Sequence, residues 1–216
     1  MKLSSLKPHY AILRVEQFLF ERKNPKCPWL TPDAIRALQD SLKPTDVGFE
    51  FGSGRSTIWI AKRTKFLHSV EHDASWHSIV TAQIRDNGLA EKVHYQLSPE
   101  TNVVDDLMPE EHPYVAGLTS AADNTLDFVL VDGIMRLTCV RLAIRKLKPG
   151  RLLILDNANR YVPNLFEEGH STVRDFLAKP LNEDWAETCA VLSSWRGFNT
   201  SNGLSDTRFW IKPCSL

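Results

Sequence analysis

From Val47 onward the chain alternates short apolar runs with amphipathic ones, and this alternation limits its fold more than any other feature. Val47–Phe51, Phe66–Val70, Val93–Leu97, Leu126–Val131 and Arg151–Leu155 have the length and composition of buried strands. Between them, Thr57–Arg63, Ala74–Asn87 (stopped by Gly88) and Arg136–Leu147 (ending at Lys148-Pro149-Gly150) carry helical periodicity. Strands alternating with helices at this spacing predict an α/β fold with a doubly wound, mostly parallel sheet. Near the end, Trp185–Leu192 and Thr207–Lys212 flank a polar, Gly-containing stretch and read as an antiparallel terminal pair.

Residues 1–45 read as an N-terminal helical cover and residues 46–216 as the main domain, the two forming a single compact unit. Thr31-Pro32-Asp33 opens a helix through Leu42, with a capping hydroxyl before a proline that pre-sets the first turn. Tyr10–Phe20 is interrupted by Arg14 and Glu16, which favours an amphipathic helix over a signal sequence. No run approaches the roughly 20 apolar residues that cross a bilayer, so no membrane is expected among the partners. The 28 residues from Ser98 to Thr125, with Asp105, Asp106, Glu110 and Glu111, are long for a structureless connection and predict a short helix or a lid.

The charge balance is even, 26 Lys and Arg against 26 Asp and Glu, with a pI near 7.1. No long-range field draws such a chain to nucleic acid, and neutrality favours self-association, so a homodimer is within expectation. Cys27, Cys139, Cys189 and Cys214 form no Cys-x-x-Cys pair and read as reduced thiols of a cytoplasmic protein.

Ligands of open parallel sheets bind beyond the carboxyl ends of the strands. Here those ends read Glu50-Phe-Gly-Ser-Gly-Arg-Ser-Thr57, Val70-Glu-His-Asp73, Leu97-Ser98, Val131-Asp-Gly133 and Leu155-Asp-Asn157. Gly52 and Gly54 let backbone approach a ligand closely. Glu50 beside that turn would repel a pyrophosphate, and Thr57 stands where a dinucleotide fingerprint has its third glycine. A ligand with an ammonium group and no phosphate suits the site better. Glu71, 21 positions after Glu50, is placed to accept hydrogen bonds from two ribose hydroxyls, so the pair describes an adenosine joined to an amino acid.

At these residues, Glu50-Phe-Gly-Ser-Gly54, Ser69-Val-Glu-His-Asp73 and Leu126-Asp-Phe-Val-Leu-Val-Asp-Gly133, the sequence resembles the class I S-adenosylmethionine-dependent methyltransferases. The resemblance covers residues 28 to 157 and implies a seven-stranded sheet with an antiparallel final strand. It implies S-adenosylmethionine as cofactor, with Glu50, Gly52, Ser53, Gly54, Glu71, His72, Ser98 and Asp132 around it. Trp76 and the segment Pro28-Trp-Leu-Thr31 would stand close by.

A narrower resemblance, in Leu126–Asp132 and Leu147–Asn157, is to the catechol and caffeoyl-coenzyme A O-methyltransferases. It implies a divalent metal such as magnesium on Asp132, Asp156 and Asn157. Their basic Lys has no counterpart in Gly133-Ile-Met-Arg136, where only an Arg follows. The pattern Asp132-Gly-x-x-Arg136 with Asp156-Asn-x-x-Arg160 resembles another, poorly defined methyltransferase subgroup, and that resemblance implies instead that the two arginines hold an anionic part of an acceptor, with Asp132, Asp156, Asn157 and Arg160 as the acceptor-side set. His170 is a further candidate base.

The expected activity is methyl transfer to an oxygen or amine nitrogen of a small molecule or short peptide. The Asp/Asn-Pro-Pro-Tyr pattern of base-amino methyltransferases is absent from both Asp132-Gly-Ile-Met and Asp156-Asn-Ala-Asn. A nicotinamide-dependent oxidoreductase on a similar sheet is the alternative, disfavoured by Glu50 and Thr57. A non-catalytic protein that keeps the fold for cofactor binding or assembly is the third reading.

Overall fold

A computed structural model of the chain describes residues 8–99, 106–163 and 179–214. Its centre is a seven-stranded sheet in the order β3-β2-β1-β4-β5-β7-β6. The strands are β1 (Val47–Phe51), β2 (Phe66–Glu71), β3 (Val93–Leu97), β4 (Leu126–Val131), β5 (Leu147–Leu155), β6 (Arg196–Ser201) and β7 (Asp206–Ile211). β1 through β5 are mutually parallel, and β7 is antiparallel to both of its neighbours, β5 and β6. The sheet and its reversed strand follow the sequence expectation.

Two helical layers cover it. On one face lie α2 (Pro32–Ser41), α3 (Arg55–Ala61) and α4 (Ala74–Asp86), and Leu38, Ile60 and Val80 pack there with Leu67, Phe128 and Phe209 of the sheet. On the other lie α5 (Pro113–Ser120), α6 (Arg136–Lys146) and α7 (Glu183–Leu192), where Leu118, Leu137 and Trp185 meet Phe51, Val129 and Leu153. Phe128 also fills the space a side chain at Gly48 would take, so the two strands close up only because residue 48 is glycine. A buried ring of this kind contributes roughly 1.5–3 kcal/mol.

The N-terminal helices differ sharply. Thr31 caps α2 through its hydroxyl, as its sequence predicts, and Ala34, Ile35 and Leu38 sink into the core. Helix α1 (Pro8–Lys23) instead leaves Ile12, Val15, Phe18 and Leu19 exposed. The connection over 98–125 carries α5, so the expected short helix is present; Asp105 and His170 lie outside the described residues.

Two assignments are corrected. Trp185–Leu192 is helix, not strand: Asn182 accepts from the Trp185 N–H, two acids occupy the first turn, and Trp185, Thr188 and Leu192 bury one helical face. The antiparallel partner of β7 is β6, in the stretch read as connection. Lys148-Pro149-Gly150 belongs to β5, whose register on β4 shifts between Leu126 and Phe128, with Gly150 at φ +76°.

No helix among the described residues is long and apolar enough to cross a membrane.

Candidate functional site

Strand order reverses between β1 and β4, and the turns leaving these strands meet there. Gly52 sits at φ +84°, and a Cβ on it would lie 2.7 Å from the Gly133 nitrogen. A Cβ on Gly133 would in turn strike the Tyr114 hydroxyl, so both glycines are required by contact, and Gly52 by its conformation as well.

Glu50 is the deepest charged group of this edge, with no solvent exposure. Its Oε2 accepts from Thr57 Oγ1 at 2.6 Å and Ser69 Oγ at 2.7 Å, while Oε1 has no hydrogen-bond partner. Burial raises the carboxyl to about 7, against the hydroxyls of Ser56, Thr57 and Ser69 that favour its ionised form. Thr57 also accepts the Gly54 N–H at 2.9 Å, so the residue in the third-glycine position ties the turn to the buried acid. The spacing of Thr57 from Glu50 was in the sequence, but only the folded turn shows the bond.

Glu71 ends β2 among protein donors. Ser53 N and Oγ reach Oε2 at 3.0 and 2.7 Å, and His72 N and Asp73 N reach Oε1 at 2.8 and 3.0 Å. His72 Nδ1 stands 3.0 Å from the same Oε1, and Ser98 N bonds the Glu71 carbonyl at 2.8 Å. The Ser53 hydroxyl is also 2.6 Å from the Tyr95 hydroxyl. Ser53, Glu71, His72 and Ser98, expected around the cofactor, therefore form one connected group, which Tyr95 joins. Trp76 donates from Nε1 to the Ser53 carbonyl at 2.8 Å and stacks on Trp29, whose other neighbour is the Arg55 guanidinium. Trp29 of the segment from Pro28 is thereby held next to the glycine turn through Trp76, which touches residues 53 and 54.

The β4–β5 edge is organised differently. Arg136, at the start of α6 and almost wholly buried, donates to the carbonyls of Gly133, Asp132 and Asp156 and to Asp132 Oδ1 at 3.1 Å. Its guanidinium faces protein acceptors and Tyr161, not an open pocket, so it is a brace and not a holder of acceptor anions. Asp156 Oδ1 accepts from Thr207 Oγ1 at 2.6 Å. Burial, and for Asp132 the facing Asp156, push both carboxyls above their usual range while Arg136 opposes the rise. Asn157 adopts a left-handed turn at φ +47° and precedes a 3-10 turn (Ala158–Arg160), which leaves Arg160 exposed.

This donor set does not fit the expected divalent metal. One Asp is held by a guanidinium, the other by a hydroxyl, and the cation between their strands is Arg136 itself. Among the described residues no three His, Cys, Asp or Glu side chains group to hold a metal ion. No step is drawn through one.

Arg208 was missed by the sequence reading. It pairs with Leu155 at the same carboxyl edge and borders a cavity of about 260 Å³ with Trp195, Trp210 and Cys189. Its Nε and Nη1 are buried without hydrogen-bond partners. Nothing in its strand pattern marks it, because the cavity forms only when α7 packs on β7.

No family model and no curated protein matches the chain in sequence. Solved structures do match in shape. A protein assigned as an O-methyltransferase from Klebsiella pneumoniae superposes with a TM-score of 0.57 at 16% identity, covering 93% of this chain and 90% of its own. The fold is that of the methyltransferases. A methyltransferase from Geobacter sulfurreducens gives 0.56 at 13% identity, with 94% and 89% covered. An RNA methyltransferase from Salinibacter ruber, solved with S-adenosyl-L-homocysteine, gives 0.51 at 15% identity, with 88% and 95% covered.

Proposed function

We propose that this chain is an S-adenosylmethionine-dependent methyltransferase that acts on an oxygen or amine nitrogen of a small molecule or short peptide. The observation that carries the reading is Glu50: a buried acid with one unsatisfied oxygen, set under a glycine turn at the point where strand order reverses. A cationic amino group suits that place, whereas the phosphates of a nicotinamide dinucleotide do not.

The cofactor, when bound, supplies a methyl group on a sulfonium that is its own leaving group. Glu50 would balance the cofactor's ammonium through the unpaired oxygen, directly or through water. Gly52, Ser53 and Gly54 would offer backbone contact. Glu71 already takes neutral donors, and two ribose hydroxyls are donors of the same kind; Ser53 Oγ can yield its place because Tyr95 remains as its partner. His72 and Ser98 would border the adenosine. Asp132, with about a third of its side chain exposed, would face the acceptor and take the proton it loses. Alignment of the acceptor and exclusion of water account for the remaining rate enhancement.

Calorimetric titration with S-adenosylmethionine, S-adenosylhomocysteine and NADH tests the reading. Both sulfur ligands are expected to bind, and Glu71→Ala to weaken them about tenfold or more, the loss of charge-assisted hydrogen bonds. Binding of NADH alone would overturn it in favour of the oxidoreductase. Unchanged affinity in Glu71→Ala would remove the ribose placement.

A further inference from the structure

Many cations elsewhere in the fold are matched by acids, among them Arg136 by Asp132, Arg141 by Asp184, Arg145 by Glu110 and Lys148 by Asp127. The outer side of α3 breaks this pattern. Arg55 opens this helix, and Lys62 and Arg63 stand in the turn just after its last residue, Ala61. With Lys26 from the turn between α1 and α2, they line a groove of about 570 Å³ to which no Asp or Glu contributes. Its far wall is the end of α4, and its floor includes Trp59.

Three of these cations are held by neutral partners. Lys62 Nζ donates to Asn87 Oδ1 at 2.6 Å, and Arg63 donates to the Trp59 carbonyl at 2.9 Å with its guanidinium 3.7 Å over the Trp59 ring. The Arg55 guanidinium lies 4.8 Å over Trp29, and its Nη1 is buried without a hydrogen-bond partner. None of the four makes an ion pair among the described residues. Four like charges brought together repel one another, so a counter-charge, which the groove lining does not supply, would be bound favourably there.

We propose that this groove binds a ligand carrying two or more phosphate groups, of nucleotide or small polyphosphate size. A single carboxylate would neutralise too little, whereas clustered phosphates present several oxygens to Arg forks and Lys ammonium groups together. The volume lies within the span of roughly 300–1,000 Å³ typical of small-ligand sites. The groove gathers its four cations within one small-ligand-sized space, a footprint that favours a compact anion over a nucleic-acid strand. The groove is separate from Glu50 and Glu71, and the proposal stands whether or not the chain transfers methyl groups.

The test is calorimetry of the full chain with sodium tripolyphosphate at two salt concentrations, repeated with a single-stranded oligonucleotide. Saturable tripolyphosphate binding that weakens with salt is expected, as is at least a tenfold loss in the double variant Lys26→Gln, Lys62→Gln. Both lysines are exposed, so the variant should melt as the parent does. Lys43→Gln with Lys65→Gln, an equal charge change outside the groove, should leave binding within twofold. The proposal fails if tripolyphosphate does not bind, if the two double variants lose affinity equally, or if only the oligonucleotide binds.

Discussion

Two pairs of carboxylates stand at the carboxyl edge of the sheet, Glu50 with Glu71 and Asp132 with Asp156, and in sequence they look alike: one acid at each strand end. The fold treats them in opposite ways. The first pair is held by hydroxyls and backbone N–H groups, and one oxygen of Glu50 is left unsatisfied. In the second, a buried guanidinium bonds the Asp132 carboxylate and three backbone carbonyls, that of Asp156 among them. A pair of acids with neutral partners retains an appetite for a cation. A pair that encloses its own cation has become framework, and only the part of Asp132 that reaches solvent is left for chemistry.

The largest effect is expected where that framework is cut. Arg136→Met removes the cation beside Asp132 and the buried Asp156 and leaves three carbonyls without their donor, which should cost about 3–5 kcal/mol in urea unfolding at pH 7. Arg136→Lys should recover only part of this, since one ammonium cannot span the same acceptors. A loss below about 1 kcal/mol in the Met variant would mean that the two edges do not differ as described.

At the other pair the sign reverses. Glu50 has a native value of about 7 against an ordinary 4.5, so between these pH values the folded chain holds a proton that the unfolded chain has released. Stability from this group is therefore fully present below about pH 4.5 and is lost as pH rises through 7, amounting to about 3 kcal/mol. Glu50→Gln should be more stable than the parent by up to about that amount at pH 8, with the difference vanishing near pH 4. The same variant should bind S-adenosylmethionine more weakly. Parallel stability curves for the two proteins across pH 4–8 would show that Glu50 is not the strained acid of this edge.

The contrast between the pairs was only half legible in the sequence. Strand periods placed all four acids correctly at strand ends, because the stretches leading to Glu50, Glu71, Asp132 and Asp156 each hold a short, mostly apolar run that stops at the acid. Partners were a different matter. Arg136 stands four residues after Asp132, a spacing equally suited to reaching outward, and the carbonyl of Asp156 that draws it inward arrives from another strand. Thr57 registered as an absent glycine and not as the hydroxyl donor to Glu50. The Trp29–Trp76 stack joins residues 47 positions apart, and the basic groove joins three separate segments. Trp185–Leu192 was misread because an apolar run of eight fits either period, and the decisive Asn182 cap lies outside the run.

The smallest effect, and the finest probe of the comparison, lies at Thr207. Its hydroxyl gives Asp156 its one side-chain hydrogen bond from a neutral group, 2.6 Å long and buried on both sides, which makes this carboxylate locally resemble Glu50. Thr207→Val keeps the shape and removes the donor, at an expected cost of about 1–2 kcal/mol in urea unfolding at pH 8. The hydroxyl lowers the Asp156 carboxyl, so its removal raises that group further above its usual range. The variant's deficit should consequently shrink as the pH falls through the native titration of Asp156, because a protonated acid needs the lost donor less. A deficit that stays constant from pH 8 to 4 would mean that Arg136 alone fixes the charge state of this edge and that Thr207 contributes packing only.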